Sequence, residues 1–217
     1  MKTFSEIQSV IGVTPRARSI AMNSICLYGD IYVFGVWSGM SLNFEVKYLE
    51  NKKIEYRKIF GFDSYEGFPE EEDQKYNIVG MEKGEFSSSK LYNTTPIQAA
   101  KIIKEGINSD QLVLVPGYFS DSLTKQLIKK QKMLPASFID VDADLYSSTQ
   151  QCLEFMFSND LIVADTVIYF DDSGTTDKYK GGESLAWQEI VRKYEVKYTQ
   201  IFTIGSQQSV QKVFRIL

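Results

Sequence analysis

The chain has 217 residues, 43% of them apolar, with a formal net charge of −4 and a pI near 5.1. That length and apolar content suit one domain, 1–217, with a full-sized core, and the acidic balance excludes a surface built for nucleic acid or anionic membrane. Histidine is absent, which removes Ser-His-Asp triads, imidazole bases and most zinc sites and leaves proton transfer to Asp, Glu, Lys, Tyr or Cys.

Residues 1–28 read as an N-terminal helical extension broken near Gly12 to Pro15, with Ile20, Ala21, Ser24, Ile25 and Leu27 as its apolar face. The first thirteen residues lack the apolar core of a signal peptide, and no apolar run reaches a transmembrane length. Cys26 and Cys152 both lie in apolar helical contexts. They are expected to be buried thiols in a reducing, cytoplasmic compartment. After the turn at Gly29-Asp30, a strand over 31–36 runs into the tight loop Gly35-Val36-Trp37-Ser38-Gly39 and a helix over 40–49. A second strand, 59–62, ends at Asp63.

Residues 64–93 are irregular, with a turn at Gly67-Phe68-Pro69 and an acidic run at Glu70 to Asp73. A surface loop or lid is expected there. Thr94 or Thr95 caps a helix to about Glu105, with Pro96 in its first turn. A third strand, 111–115, leads through Gly117 to Asp121, where Ser120-Asp121-Ser122 reads as the cap of a helix to Lys132. The strand beginning at Phe138 is followed by a helix over 147–157, and the strand 166–170 by a loop containing Gly174 and Gly181-Gly182. A helix over 183–194 and two strands, 196–204 and 209–216, complete the chain. Strand–helix alternation predicts a doubly wound, mostly parallel α/β sheet of Rossmann type, with an antiparallel hairpin at its C-terminal edge.

Three sets of residues carry chemistry. The glycine loop joins a strand to a helix N-terminus, where free N–H groups attract anionic groups, though it lacks the full GxGxxG dinucleotide pattern. Asp63, closing the second strand, is placed to accept both hydroxyls of a ribose; a plain turn aspartate is the bland alternative. The strongest signal is Asp140-Val141-Asp142-Ala143-Asp144 with Asp171-Asp172. Alternate aspartates on an extended chain point to one side, and two such strand ends open on the same edge of a parallel sheet. Hard oxygen ligands in this number suit Mg²⁺, with Mn²⁺ or Ca²⁺ as alternatives.

In order along the chain, Phe34-Gly35-Val36-Trp37-Ser38-Gly39, Phe62-Asp63-Ser64-Tyr65-Glu66-Gly67-Phe68-Pro69, Gly117 to Leu123, Asp142-Ala143-Asp144-Leu145-Tyr146-Ser147-Ser148-Thr149 and Asp171-Asp172 resemble the macrocin O-methyltransferase (TylF-like) family of S-adenosylmethionine-dependent sugar methyltransferases. The resemblance covers roughly 29 to 190. It implies a class I methyltransferase fold and Mg²⁺-dependent transfer of a methyl group to a sugar hydroxyl. It also implies that Gly35, Val36, Trp37, Ser38, Gly39, Asp63, Ser64 and Asp121 hold the cofactor. By the same resemblance Asp142, Asp171 and Asp172 bind Mg²⁺ or Mn²⁺, and Asp144 is the general base. The chain departs from the family's pattern at Val33, where Glu is usual, at Ser38, where Arg is frequent, and at Ala164-Asp165-Thr166, where the family has Gly-Gly.

The implied partner is a small-molecule sugar or nucleotide-sugar acceptor, with no nucleic acid and no membrane, and the N-terminal helices offer a face for a homo-oligomer. Two other readings exist: a haloacid-dehalogenase-like phosphatase (or an Asp-x-Asp glycosyltransferase), and a non-catalytic methyltransferase-fold scaffold, which Val33 favours.

Overall fold

Five apolar runs rich in β-branched and aromatic residues form a parallel sheet: β1 (Asp30–Phe34), β2 (Ile59–Asp63), β3 (Leu112–Pro116), β4 (Ala136–Val141) and β5 (Val167–Phe170). Two longer strands, β6 (Tyr198–Ser206) and β7 (Ser209–Ile216), pair antiparallel to each other, and β7 pairs antiparallel to β5. The computed structural model describes residues 1–12, 15–71, 81–174, 182–206 and 209–217. The strand order is β3-β2-β1-β4-β5-β7-β6, so the expected C-terminal hairpin enters with its second strand inside and its first at the edge.

Because strand side chains alternate, each strand feeds two cores. One face sends Ile31, Val33, Ile59, Leu112, Phe138 and Tyr169 toward the helices α1 (Phe4–Gln8), α2 (Pro15–Asn23), α3 (Met40–Lys52) and α5 (Pro96–Ile107). The other sends Tyr32, Phe34, Phe60, Phe62, Ile139, Val141, Ile168 and Phe170 toward α7 (Lys125–Gln131), α8 (Tyr146–Ser158) and α9 (Glu183–Lys193). Burial on both faces is why these strands read as near-continuous apolar runs.

The N-terminal helices belong to the first layer. Thr3 and Glu6 form a reciprocal cap on α1, and α2 packs on α3, β5, β6 and β7. The buried face of α2 is Ala17, Arg18, Ala21 and Met22, rotated from the expected stripe through Ile20, Ser24 and Ile25. The irregular 64–93 stretch holds a short helix, α4 (Ser88–Tyr92), with Ser87 as its cap; residues 72–80 of the expected lid lie outside the described residues, as does 175–181 of the loop after β5. Asp121 is not the expected cap. It sits exposed inside the four-residue α6 (Phe119–Ser122), and Thr124 caps α7 by accepting from the Leu127 N–H. Cys152 is buried as expected, whereas Cys26 is exposed, its Sγ 2.7 Å from Arg215 Nη1.

Candidate active site

Strand order reverses between β1 and β4, and a crevice opens there beyond the carboxyl ends of the parallel strands. It forms a cavity of about 1090 Å³. One end is walled by Gly35 to Ser38, Asp63, Ser64 and Tyr118 to Ser120, the other by Arg18, Asp142 to Asp144, Asp171 and Asp172. Gly67 to Glu71, Met81 and Phe86 line it as well, as do Ser41 and the start of α8 from Tyr146 to Ser148.

The glycine-loop end is fixed by hydrogen bonds from residues far along the chain. At Gly35, φ is 98° and a Cβ would lie 1.9 Å from the Asp142 carbonyl oxygen, so only glycine lets the β1 and β4 loops meet. Asp63 Oδ2 accepts from the Val36 and Trp37 N–H groups, both at 2.8 Å, and Oδ1 from the Tyr65 N–H at 2.6 Å. A carboxylate has about four acceptor positions, so Asp63 shapes the loop and keeps capacity for a further hydroxyl. Burial pushes its carboxyl up, and the three backbone donors pull it back down. From the other side, Ser88 Oγ donates to the Trp37 carbonyl and the Tyr92 hydroxyl to the Ser38 carbonyl, each at 2.7 Å. The residue before α3, Gly39, offers no side-chain cap; Ser38 Oγ accepts weakly from the Met40 N–H at 3.4 Å, and the other first-turn N–H groups can take an anionic group. Ser64 Oγ donates to the Gly67 carbonyl, inside the loop itself. Asp121 does not line the cavity.

The roof joins the two ends. Phe86 packs edge-on against Trp37, ring centroids 5.1 Å apart, and against Phe68 at 5.3 Å. Glu71 Oε2 accepts from the Ser147 N–H at 3.1 Å. It supplies an acidic partner to the N-terminus of α8, where Leu145 gives no side-chain cap.

The acidic end is arranged around a guanidinium. Arg18, 2% exposed, donates from Nε to Asp140 Oδ2 at 2.8 Å, from Nη2 to Asp142 Oδ2 at 2.7 Å and from Nη1 to Asp171 Oδ1 at 3.2 Å. Its head lies 4.8 Å from the Tyr169 ring centroid, and Glu45 Oε1 is 3.6 Å from Nε. Asp171 Oδ1 also accepts from the Tyr169 hydroxyl and from Gln211 Nε2. Burial raises the Glu45 carboxyl well above its ordinary value, with Asp140 adding to the effect. A neutral Glu45 donating to Asp140 would explain why both Glu45 oxygens and Asp140 Oδ1 are otherwise without partners.

Asp144 leaves the row that Asp140 and Asp142 begin. β4 stops at Val141, and Asp144 adopts φ 57°, so its side chain meets Asp172 rather than Arg18. Burial, then the Asp172 charge and a hydrogen bond with Asp172, push the Asp144 carboxyl up to about 8. The loop that presents it is held by Glu183, fully buried at the start of α9. Glu183 Oε1 accepts from the Ala143 and Asp144 N–H groups at 3.1 and 3.3 Å, and Oε2 from the Asp172 N–H at 3.0 Å. One carboxylate therefore ties both acidic loops together.

The structure brings Asp142, Asp144, Asp171 and Asp172 to one wall, as expected, but not into the expected metal cage. The donor set is chemically right for Mg²⁺ or Mn²⁺, being all hard oxygens. Its disposition is not: Arg18 holds Asp142 and Asp171, Asp144 is paired with Asp172, and among the described residues no three acidic side chains are grouped to hold an ion. In this arrangement the carboxylates do not fit a divalent cation. Sequence reasoning missed Arg18, Glu45 and Glu183. The only signal for Arg18 was its place beside Ala17 and Ala21, small residues that let α2 approach the sheet.

A strand-order reversal at β1/β4, an open glycine-loop helix terminus with a β2 aspartate, and antiparallel closing strands define a class I S-adenosylmethionine-dependent methyltransferase. The sequence matches the family model "Macrocin-O-methyltransferase (TylF)" over residues 14–198. The chain belongs to the macrocin O-methyltransferase family and is an S-adenosylmethionine-dependent O-methyltransferase. Among solved structures of similar fold are CalS11, a calicheamicin methyltransferase (19% identity, TM-score 0.68), and the O-methyltransferase NovP (16%, TM-score 0.61). Each match covers 96% of this chain and 78% of the other. TomG from Streptomyces achromogenes, solved with S-adenosylmethionine, is 12% identical at TM-score 0.56, covering 100% of this chain and 90% of its own. No curated protein matches the sequence. The comparisons give no support to a phosphatase. Among the described residues no helix is long and apolar enough to cross a membrane.

Proposed function

We propose that the protein transfers the methyl group of S-adenosylmethionine to a hydroxyl of a sugar-like small molecule, with Asp144 taking the hydroxyl proton. The observation that carries this reading is that Asp144 lines the same cavity as the glycine loop and Asp63, with its carboxyl pushed up to about 8 by burial and by Asp172. A base poised near the working pH accepts a proton efficiently. The cofactor brings an already activated methyl, so the protein's share is placement and deprotonation of the acceptor. Gly35 to Ser38, Asp63 and Ser64 would hold the cofactor, whose carboxylate suits the start of α3; Gly39, packed against Ile103 and Phe4, does not line the cavity. Its positive sulfonium is favoured by the carboxylates beyond. Asp121, exposed and outside the cavity, is not included.

The sugar acceptor rests on the family and on the similar protein described as a TDP-rhamnose 3′-O-methyltransferase. No step runs through Mg²⁺, because the carboxylates expected to hold it are engaged by Arg18 and by Asp144. A radiolabelled-methyl assay over a panel of free sugars and nucleotide sugars tests the reading, with calorimetry for S-adenosylmethionine. Asp144→Asn should retain cofactor affinity and lose about 10²- to 10⁴-fold in kcat. Absence of cofactor binding by the native chain would favour the scaffold reading instead.

A further inference from the structure

We propose that Arg18 is the resident cation of the acceptor end: its guanidinium fixes Asp142 and Asp171, so the site is set without a divalent ion while α2 is docked. The inference rests on the methyltransferase reading only for its meaning, since the cation claim can be tested with no acceptor present.

Three features of the geometry carry it. First, the three guanidinium nitrogens each take a different carboxylate, from Asp140, Asp142 and Asp171, a fork that a single ammonium cannot reproduce. Second, the guanidinium is not a remote core residue. Arg18 lines the cavity, and the side chains of Asp142 and Asp171 are 27% and 23% exposed. The carboxylates that a metal would draw on are thus the ones the arginine holds, each by one oxygen. Third, the arrangement is held from behind. The Tyr169 ring faces the guanidinium and the Tyr169 hydroxyl donates to Asp171, while the fully buried Glu45 closes the side toward α3. A strand-end acid pair that needed an external ion would not require a buried arginine brought from 122 residues away in sequence. Arg18 is a positioning residue: it acts through Asp142 and Asp171.

The inference predicts that Arg18 and a divalent ion exclude each other. Electron paramagnetic resonance of Mn²⁺ titrated with the full chain, without acceptor, reads this directly. The native protein should leave the Mn²⁺ signal free at millimolar metal, and its thermal midpoint should not respond to Mn²⁺. Arg18→Met removes the charge and should create a site, with Mn²⁺ bound at least about 100-fold more tightly than by the native chain, two tenfold steps of affinity. It should also raise the variant's midpoint. Arg18→Lys, which keeps one cation but not the fork, should fall between. Should either variant fold only when refolded with Mn²⁺, that is the same gain. Stoichiometric Mn²⁺ binding by the native chain overturns the proposal, and so does failure of both variants to bind or recover with Mn²⁺. Loss of cofactor binding in calorimetry would instead count against the methyltransferase reading and leave the metal titration to stand by itself.

Discussion

With Asp144 as the proposed base, its protonation would set a pH profile that follows from the structure. With its carboxyl at about 8, the base is ionised to about 1% at pH 6, about a tenth at pH 7 and half at pH 8, so kcat/KM should climb about 50-fold from pH 6 to 8 and then level off. Burial is the largest cause of the shift and the Asp172 charge the next. Asp172→Asn should therefore move the inflection down, though not to an ordinary carboxylate value, and the variant should keep more of its plateau rate at pH 6 than the native enzyme does. Stability gives an independent sign. The folded chain keeps a proton on Asp144 that the unfolded chain releases near 3.9. Between about pH 4 and 8 the folded state thus binds more protons, and stability falls as pH rises through that window. Asp144→Asn removes this loss, so its thermal midpoint should exceed the native one at pH 8 and converge with it at pH 4. The assays are labelled-methyl transfer in constant-ionic-strength buffers and scanning calorimetry. Transfer that is flat from pH 6 to 9, or an inflection unmoved by Asp172→Asn, would refute the assignment of the base.

Glu183→Ala strands three N–H groups from two loops. At about 1–3 kcal/mol for each buried unsatisfied group, urea denaturation should show at least about 3 kcal/mol lost, and a loss under 1 would argue against the tie. Gly35→Ala places a methyl 1.9 Å from the Asp142 carbonyl oxygen, so calorimetry should show cofactor binding lost or the fold disrupted, not a mild change. Thr124→Ala should lower stability by about 1 kcal/mol through the lost cap, while Asp121→Ala stays within about 0.5 kcal/mol; equal effects would put the cap back at Asp121. Val33→Glu should destabilise by adding an acid beside Asp140, its neighbour in register. In the double variant with Glu45→Val that cost should shrink, a coupling of about 0.5–3 kcal/mol in a double-mutant cycle. Additive effects would show that the two positions do not share one charge balance.

The sheet was legible because its strands bury both faces, and such runs are hard to mistake: five parallel strands and a terminal hairpin fall within a few residues of where the sequence places them. The site was legible only where local pattern carries it. Gly35 and Asp63 end or follow strands, and their meeting at one wall of the cavity is readable from that position. Asp140, Asp142 and Asp144 look like a single row, and would be one if the strand continued. The left-handed turn at Asp144 breaks the row and separates the proposed base from Asp140 and Asp142, which Arg18 holds, and no pattern in Asp-Ala-Asp announces that turn. Arg18, Glu45 and Glu183 act across 122, 95 and 40 residues on partners at Asp140 and Ala143. Long-range charge pairing leaves no periodic trace in sequence, so an arginine on α2 reads as a solvated residue.

Val33 ties these points together. The family's usual acid at this position would stand on β1 facing α2 and α3, beside Asp140. Here Val33 is buried among apolar neighbours on that face, yet the face does not lack an acid. Glu45, on α3, is fully buried 3.6 Å from the same guanidinium and paired with Asp140. An ionised glutamate at both positions would leave one arginine facing five carboxylates, the two glutamates with Asp140, Asp142 and Asp171, and the cost of desolvating them all. An acid on the helix at Glu45, kept protonated by its burial, adds a hydrogen-bonding group beside Arg18 and Asp140 without adding a further negative charge. On the proposed reading, Glu45 gives this buried network the carboxyl that Val33 does not.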